Sequence, residues 1–192
     1  MNSSQARILE YCLNNAIFDG WTVKLLEKAC ENAGLDRNYW KIPFPAGCLD
    51  VVDYFINQTT EESIKITKLD GLRTHEKIRA LVKCRLELYA PHKHAIQSAT
   101  KLLLPHPLRN LNATYRVVDE IWRAAGDTST DWNFYSKRTL LAGVYTTTFI
   151  YWLNDNSENH EATWEFLDKR LANAMQVGKG IGKVKDLFKK VV

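Results

Sequence analysis

Apolar side chains recur at three- and four-residue spacings along almost the whole chain and rarely alternate with polar ones, so the pattern predicts helices and no β-hairpin. Ile8, Leu9, Cys12, Ala16 and Ile17 mark one side of a first helix over 4–17, ended near Asp19 and Gly20. Thr22 is placed to cap a second, with Val23, Leu25, Leu26, Ala29 and Cys30 as its apolar side and Gly34 as its stop. A loop over 35–45 precedes a third helix over 46–57, and further helices are expected over 60–70, 73–89, 95–104 and 108–125. In the helix over 73–89, Lys77, Arg79, Lys83 and Arg85 fall mostly away from Ile78, Leu81, Val82 and Leu86, as on a solvated outer face. A helix reaching Leu153 has an almost uncharged stretch over 140–153, too short to cross a bilayer, and is expected at the centre of the core. Another covers 161–176, and an amphipathic one closes the chain over 177–192. The fold class is therefore all-α, divided as an N-terminal three-helix end (1–57), a helical body (58–176) and an amphipathic segment (177–192).

Charge changes this picture at two places. The net charge of +4 is concentrated in the last segment, where Lys179, Lys183, Lys185, Lys189 and Lys190 oppose Asp186 alone. On a wheel of about 100° per residue, Val177, Ile181, Val184, Leu187, Phe188 and Val191 gather on one side and the lysines on the other. That arrangement suits either a helix docked on its own core or an interfacial membrane helix, and the lysines favour an anionic membrane, with Ile181, Lys183, Val184, Lys185, Leu187 and Phe188 as the contact. The second place is the N-terminal end, whose three short helices resemble the helix-turn-helix of tetracycline-repressor-type regulators through Ile8-Leu9, Asp19-Gly20-Trp21 and 29–34. Its expected recognition helix, 46–57, has no Lys or Arg and carries Asp50 and Asp53, which a phosphate backbone would repel. No nucleic-acid partner is expected, and a ligand-responsive regulator stands as the alternative.

Candidate chemistry is sparse. Cys12, Cys30, Cys48 and Cys84 lie far apart and read as buried thiols. His92 and His94 lack the further ligands that a metal site needs, and no nucleophile-base spacing suggests an enzyme, so no cofactor is expected. Between the central helices, Leu102, Leu103, Ile121, Trp122, Leu140, Val144, Thr147 and Trp152 are positioned either as ordinary core or as the lining of an apolar cavity for a lipid tail.

The most informative stretch is A-G-D-T-S-T-D-W-N-F-Y-S-K-R, residues 125–138. Gly126 stops one helix, Thr128 to Asp131 has capping-box spacing for the next, and Trp132, Phe134 and Tyr135 stand beside Asp131, Lys137 and Arg138 as on a recognition surface. With the residues from Val117 to Tyr145 around it, this segment resembles the signature of the ubiquinone-biosynthesis accessory family called Coq nine. Asp19-Gly20-Trp21, F-P-x-G at 44–47 and W-x-F-L-x-x-R at 164–170 extend the resemblance over nearly the whole chain. It implies a tetracycline-repressor-like helical fold, usually a homodimer, that binds isoprenoid or quinone lipids rather than DNA and has no catalytic role. It further implies membrane contact through the C-terminal helix and presentation of a quinone intermediate to the pathway's di-iron hydroxylase. By position, Asp131, Phe134 and Tyr135 would face that partner; many relatives carry Trp at Phe134, which keeps the apolar anchor and loses an N–H donor. The start Met1-Asn2-Ser3-Ser4 lacks an Arg-rich amphipathic presequence, so a bacterial cytoplasmic protein on the inner membrane is expected, or the matrix face if eukaryotic and processed.

Overall fold

The computed structural model describes residues 3–130 and 132–189, with backbone alone at 132–133 and 179–189. Among the described residues all regular structure is helical: α1 (Ser4–Asp19), α2 (Val23–Asn32), α3 (Cys48–Ile66), α4 (Thr74–Tyr89), α5 (Lys93–Leu103), α6 (Pro107–Ala124), α7 (Trp132–Asn154) and α8 (Glu161–Lys189), with short 3-10 turns between some of them. The helix ends follow local chemistry. Ser3 accepts from the Ala6 N–H and Thr22 from the Leu25 N–H, so each supplies a side-chain acceptor to an otherwise orphaned donor. Gly20 turns the chain after α1 at φ 66°, where a side chain would be strained.

The chain divides into two compact units, one of Met1–Glu62 with Glu87–Ala113 and one of Ser63–Leu86 with Thr114–Val192. The first is built on Ile8, Leu9, Cys12, Leu25, Leu26, Phe44 and Val51, with Ala95 among them. Trp21 ties α5 to this core by donating its indole N–H to the Ala95 carbonyl at 3.1 Å. Three of the four cysteines, Cys12, Cys30 and Cys48, are buried, and burial pushes the Cys48 thiol up to about 11, so these thiols are packing groups rather than nucleophiles.

Three expectations need correction here. The helices expected over 46–57 and 60–70 are one, α3, because Thr59 and Thr60 return their hydroxyls to the carbonyls of Phe55 and Ile56 instead of breaking the helix. The place directly after α2, which a helix-turn-helix gives to its recognition helix, holds only the 3-10 turn Tyr39–Lys41, whose Trp40 is buried in the core. Asp50 and Asp53 both face Arg109, at 2.5 and 2.7 Å, so the acidity of α3 serves an internal ion cluster. The divisions expected after residues 57 and 176 thus fall inside α3 and α8, and the C-terminal segment continues α8 without a break as far as Lys189.

In the second unit α7 is not buried all round. Arg138, Leu141, Val144, Tyr145, Thr148 and Trp152 form its buried face, at spacings of three and four, while Ile150 and Tyr151 are exposed. Arg85 is also corrected: instead of a solvated face it is fully buried and donates to the Tyr145 hydroxyl at 2.9 Å.

The connection from α7 to α8 is held by Asp155, which is buried and accepts from the backbone N–H groups of Ser157 and Thr163 at 2.8 and 3.0 Å and from the Thr163 hydroxyl. Burial alone would push this carboxyl up, but the hydrogen bonds from Thr163 and Ser157 outweigh it and hold the group at about 2. Its stabilisation is therefore complete above the unfolded carboxyl value near 4 and is lost as pH falls through about 2. Asp155→Ala is expected to remove about 1–2 kcal/mol at pH 7 and to flatten the stability profile between those two pH values, read by urea unfolding.

Candidate functional site

The corner between α6 and α7 is organised by charge. Gly126 takes φ 93° after α6 and the Asp127 N–H returns to the Trp122 carbonyl at 3.0 Å, a Schellman-type close that turns the chain as the sequence predicts. Asp127 then points inward. Its carboxylate accepts from Lys137 Nζ at 2.7 Å, from Arg138 at 3.1 Å and from the Ser129 hydroxyl, and Arg138 reaches Asp119 at 2.6 Å. The side chains of Arg138 and Asp127 are 2% and 3% exposed, so this pair lies in a low-dielectric setting where each group needs the other. Burial would raise the Asp127 carboxyl, yet the bonds from Lys137, Ser129 and Arg138 together bring it down to about 2.

The expected partner-facing residues separate at this corner. Phe134 lies with its ring centroid 3.4 Å from the Arg138 guanidinium carbon and packs edge-on against Tyr135 at 5.2 Å, so it covers the ion pair. Tyr135 is 60% exposed and available to a partner. Asp131 lies outside the described residues, and with it the expected capping box.

Beside the corner is an apolar cavity of about 280 Å³. Trp122 of α6, Leu140, Leu141 and Val144 of α7, Ile78 of α4, and Leu171, Ala174, Met175 and Gly178 of α8 line it, and Thr74, His75 and Lys137 are its polar fixtures. Trp122 is set in place by its indole N–H, which donates to the Lys137 carbonyl at 3.2 Å. A polar hollow of about 600 Å³, lined by Asp127, Thr128, Ser129 and Thr130, shares Thr74, Trp122 and Lys137 with the apolar cavity. An apolar chamber thus adjoins a polar one, with Thr74, Trp122 and Lys137 at their junction. Among the described residues no cluster of metal-ligating side chains occurs.

Of the side chains expected to line a cavity, the structure brings together Trp122, Leu140 and Val144. Ile121 and Trp152 are fully buried in the core, Thr147 is on the exposed face of α7, and Leu102 and Leu103 belong to the other unit, where Leu102 packs on the core. The contributions of α4 and α8 were missed. Leu171 and Met175 are spaced as a helical pair, but nothing in the sequence sets them opposite Trp122. The expected membrane contacts Ile181, Lys183, Val184, Lys185, Leu187 and Phe188 have side chains outside the described residues.

Removing the Asp127 carboxylate would leave Arg138 and Lys137 without their shared acceptor. Asp127→Ala is expected to destabilise the fold by about 3–5 kcal/mol at pH 7 in urea unfolding, far more than an exposed ion pair would. The same experiment on the unaltered chain should show part of this contribution, about 2–3 kcal/mol, fading as pH falls from about 4 to about 2, the window set by a depressed carboxyl.

Comparison with known proteins agrees with this architecture. A sequence model of the COQ9 family matches residues 108–178, a span that includes the whole corner. The mitochondrial ubiquinone biosynthesis protein COQ9 of Bos taurus is 32% identical over a 193-residue alignment that covers 94% of this chain and 60% of that protein. The Homo sapiens protein of the same name is 31% identical over 94% of this chain and 60% of its own length. The chain thus spans about 60% of the length of these curated relatives. Their names are mitochondrial, which fits the eukaryotic expectation and gives no support to the bacterial one. A TetR transcriptional regulator from Nitrosomonas europaea superposes with a TM-score of 0.71 over 90% of this chain and 98% of that one, at 18% identity, a likeness of fold alone. The chain is a tetracycline-repressor-like helical protein related to the COQ9 proteins, and its residues 108–178 carry the segment by which that family is recognised.

Proposed function

We propose that the chain is a non-catalytic lipid-binding accessory protein of ubiquinone biosynthesis, which takes isoprenoid quinone intermediates from the membrane and presents them to the di-iron demethoxyubiquinone hydroxylase. The observation that carries this reading is the apolar cavity among α4, α6, α7 and α8, in a chain whose curated relatives are named for ubiquinone biosynthesis. An isoprenoid tail fits an apolar lining, and an oxygenated ring would meet Thr74 and Lys137 where the cavity joins the polar hollow. Size limits how much of the ligand is enclosed. At about 30 Å³ per heavy atom, the share of a liquid water molecule, 280 Å³ admits the ring or about two isoprene units, and the rest of a long tail would remain outside. A carrier that encloses only part of its cargo works best against a bilayer. The lysine-rich end of the chain supplies such an attachment, with an apolar arc and a basic face acting together.

In this reading Tyr135, supported by Phe134 and followed in the chain by the anchored Lys137 and Arg138, faces the hydroxylase, and the working form is a homodimer on the matrix side of the mitochondrial inner membrane.

Gly178 offers a clean test. A Cβ added there would meet Leu140 Cδ1 at 3.8 Å, an ordinary contact, so a larger side chain enters the cavity without displacing backbone. Gly178→Leu also removes a helix penalty of about 1 kcal/mol, so the variant should fold at least as well as the parent. Mass spectrometry of organic extracts is expected to find an isoprenoid quinone lipid with the purified chain and to lose it with Gly178→Leu at unchanged or higher Tm. A folded parent chain that carries no lipid, or a variant that carries as much as the parent, would overturn the cavity assignment. For the membrane half, Phe188→Asp should weaken co-flotation with vesicles containing anionic lipid at least about tenfold without abolishing it, and unchanged flotation would remove the C-terminal contact from the reading.

A further inference from the structure

The turn joining α5 to α6 exposes an unusual run of leucines. Leu104 is 76% exposed, Leu108 75% and Leu111 64%, and the last two sit three residues apart on one face of α6. Single exposed leucines are ordinary in soluble proteins, but three at one corner form a patch that asks for a partner.

Two further observations identify the partner's chemistry. The first is charge: between Glu87 and Asp119 the sequence has no acidic residue, against Lys93, Lys101, Arg109 and Arg116, with His92, His94 and His106 as well. Lys101, one turn before Leu104, is exposed, and Arg109 is directed back to Asp50 and Asp53. The second is the state of the backbone at the corner. Pro105 and Pro107 have no N–H, the Leu104 N–H donates to the Thr100 carbonyl at 3.1 Å, and the His106 N–H donates to the Leu103 carbonyl at 2.9 Å. The Asn110 side chain gives a second bond to the Leu103 carbonyl at 2.9 Å. Every N–H from 104 to 107 is therefore absent or bonded internally, which lowers the penalty of moving this corner from water into a poorly hydrogen-bonding environment.

We propose that the α5–α6 corner is a membrane-inserting wedge, with Leu104, Leu108 and Leu111 entering the interfacial region of an anionic bilayer and Lys101 held at its headgroups. This contact is independent of the C-terminal segment and of whether the cavity holds a lipid. A docked protein would also be served by leucines, but with no acidic residue from 88 to 118 and with Asp50 and Asp53 taken up by Arg109, the exposed Lys101 favours an anionic surface. A nucleic acid would instead require exposed cations where the leucines stand.

The test uses the full chain carrying Cys84→Ser and Leu108→Cys, labelled at position 108 with a polarity-sensitive nitrobenzoxadiazole fluorophore; the other cysteines are buried. Vesicles of phosphatidylcholine with phosphatidylglycerol should shift the emission to the blue and protect the probe from aqueous iodide, and vesicles of phosphatidylcholine alone should do neither. The shift should weaken as salt is raised. Unlabelled Leu104→Asp/Leu108→Asp should bind the anionic vesicles at least about tenfold more weakly with unchanged thermal unfolding, since both leucines are exposed in the fold. The labelled chain combined with Phe188→Asp should retain part of the blue shift, which separates this contact from the C-terminal one. An unshifted probe on vesicles that carry the protein, or a failure of the chain to bind vesicles at all, would overturn the proposal. So would a blue shift without lipid that grows with protein concentration, which would assign the corner to a second copy of the chain.

Discussion

The paired charges of Asp127 and Arg138 are the constraint on which the rest of the second unit depends. Both are almost wholly removed from water, so each needs charged partners, and the two are brought together only when α6 has stopped at Gly126 and α7 has started beyond residue 131. Lys137, Ser129 and Asp119 complete the donor and acceptor count, and the Phe134 ring closes the remaining side of the guanidinium. Because Trp122 is anchored by the carbonyl of Lys137, the same turn of α7 that supplies the cations also fixes one wall of the apolar cavity. Charge satisfaction and cavity shape are one structural problem here, solved by residues 119–138.

What was legible in the sequence was local. Apolar spacing placed α1, α2, α5, α6 and α7 within a few residues, and Gly126, Thr22 and Gly20 turn or cap the chain as their chemistry dictates. What was illegible depended on partners distant in the chain. The threonines of α3 look like a break until their hydroxyls are seen to bond one turn back, and Arg85 looks like a surface charge until Tyr145, sixty residues away, receives it. The cavity shows both sides of this. Trp122, Leu140 and Val144 were found because they flank the corner, whereas His75 and Ile78 at the start of α4 and Leu171 and Met175 on α8 carry no local mark of the role. Aromatic density near the corner did not distinguish Phe134, which covers an ion pair, from Tyr135, which is left exposed.

The acidic pair Asp50 and Asp53 shows how a charge pattern read along the chain can have an internal partner. These carboxylates do oppose a phosphate backbone, but their function in the fold is to hold Arg109 at the start of α6. Directly after α2 the chain makes only a three-residue turn, whose Trp40 is drawn into the core. A fold shared with a transcription regulator is a likeness of architecture and does not decide what the chain binds.

The continuity of α8 gives the proposed carrier a mechanical logic. Its residues 171–178 form one wall of the cavity, and the same helix continues to Lys189 through the segment read as a membrane contact. At about 1.5 Å per residue, the eleven steps from Gly178 to Lys189 put the two roles about 16 Å apart along a single rod. No loop separates them, so a displacement of the outer segment is felt at Leu171 and Met175 unless the rod yields. Gly178, Gly180 and Gly182 are where it would yield, because each weakens the helix by about 1 kcal/mol relative to alanine. A helix stiff enough to transmit attachment to the cavity wall, and soft at one short interval, would let lipid enter or leave when the outer segment engages the bilayer. Gly178, which both lines the cavity and begins that interval, is the position at which these two requirements meet.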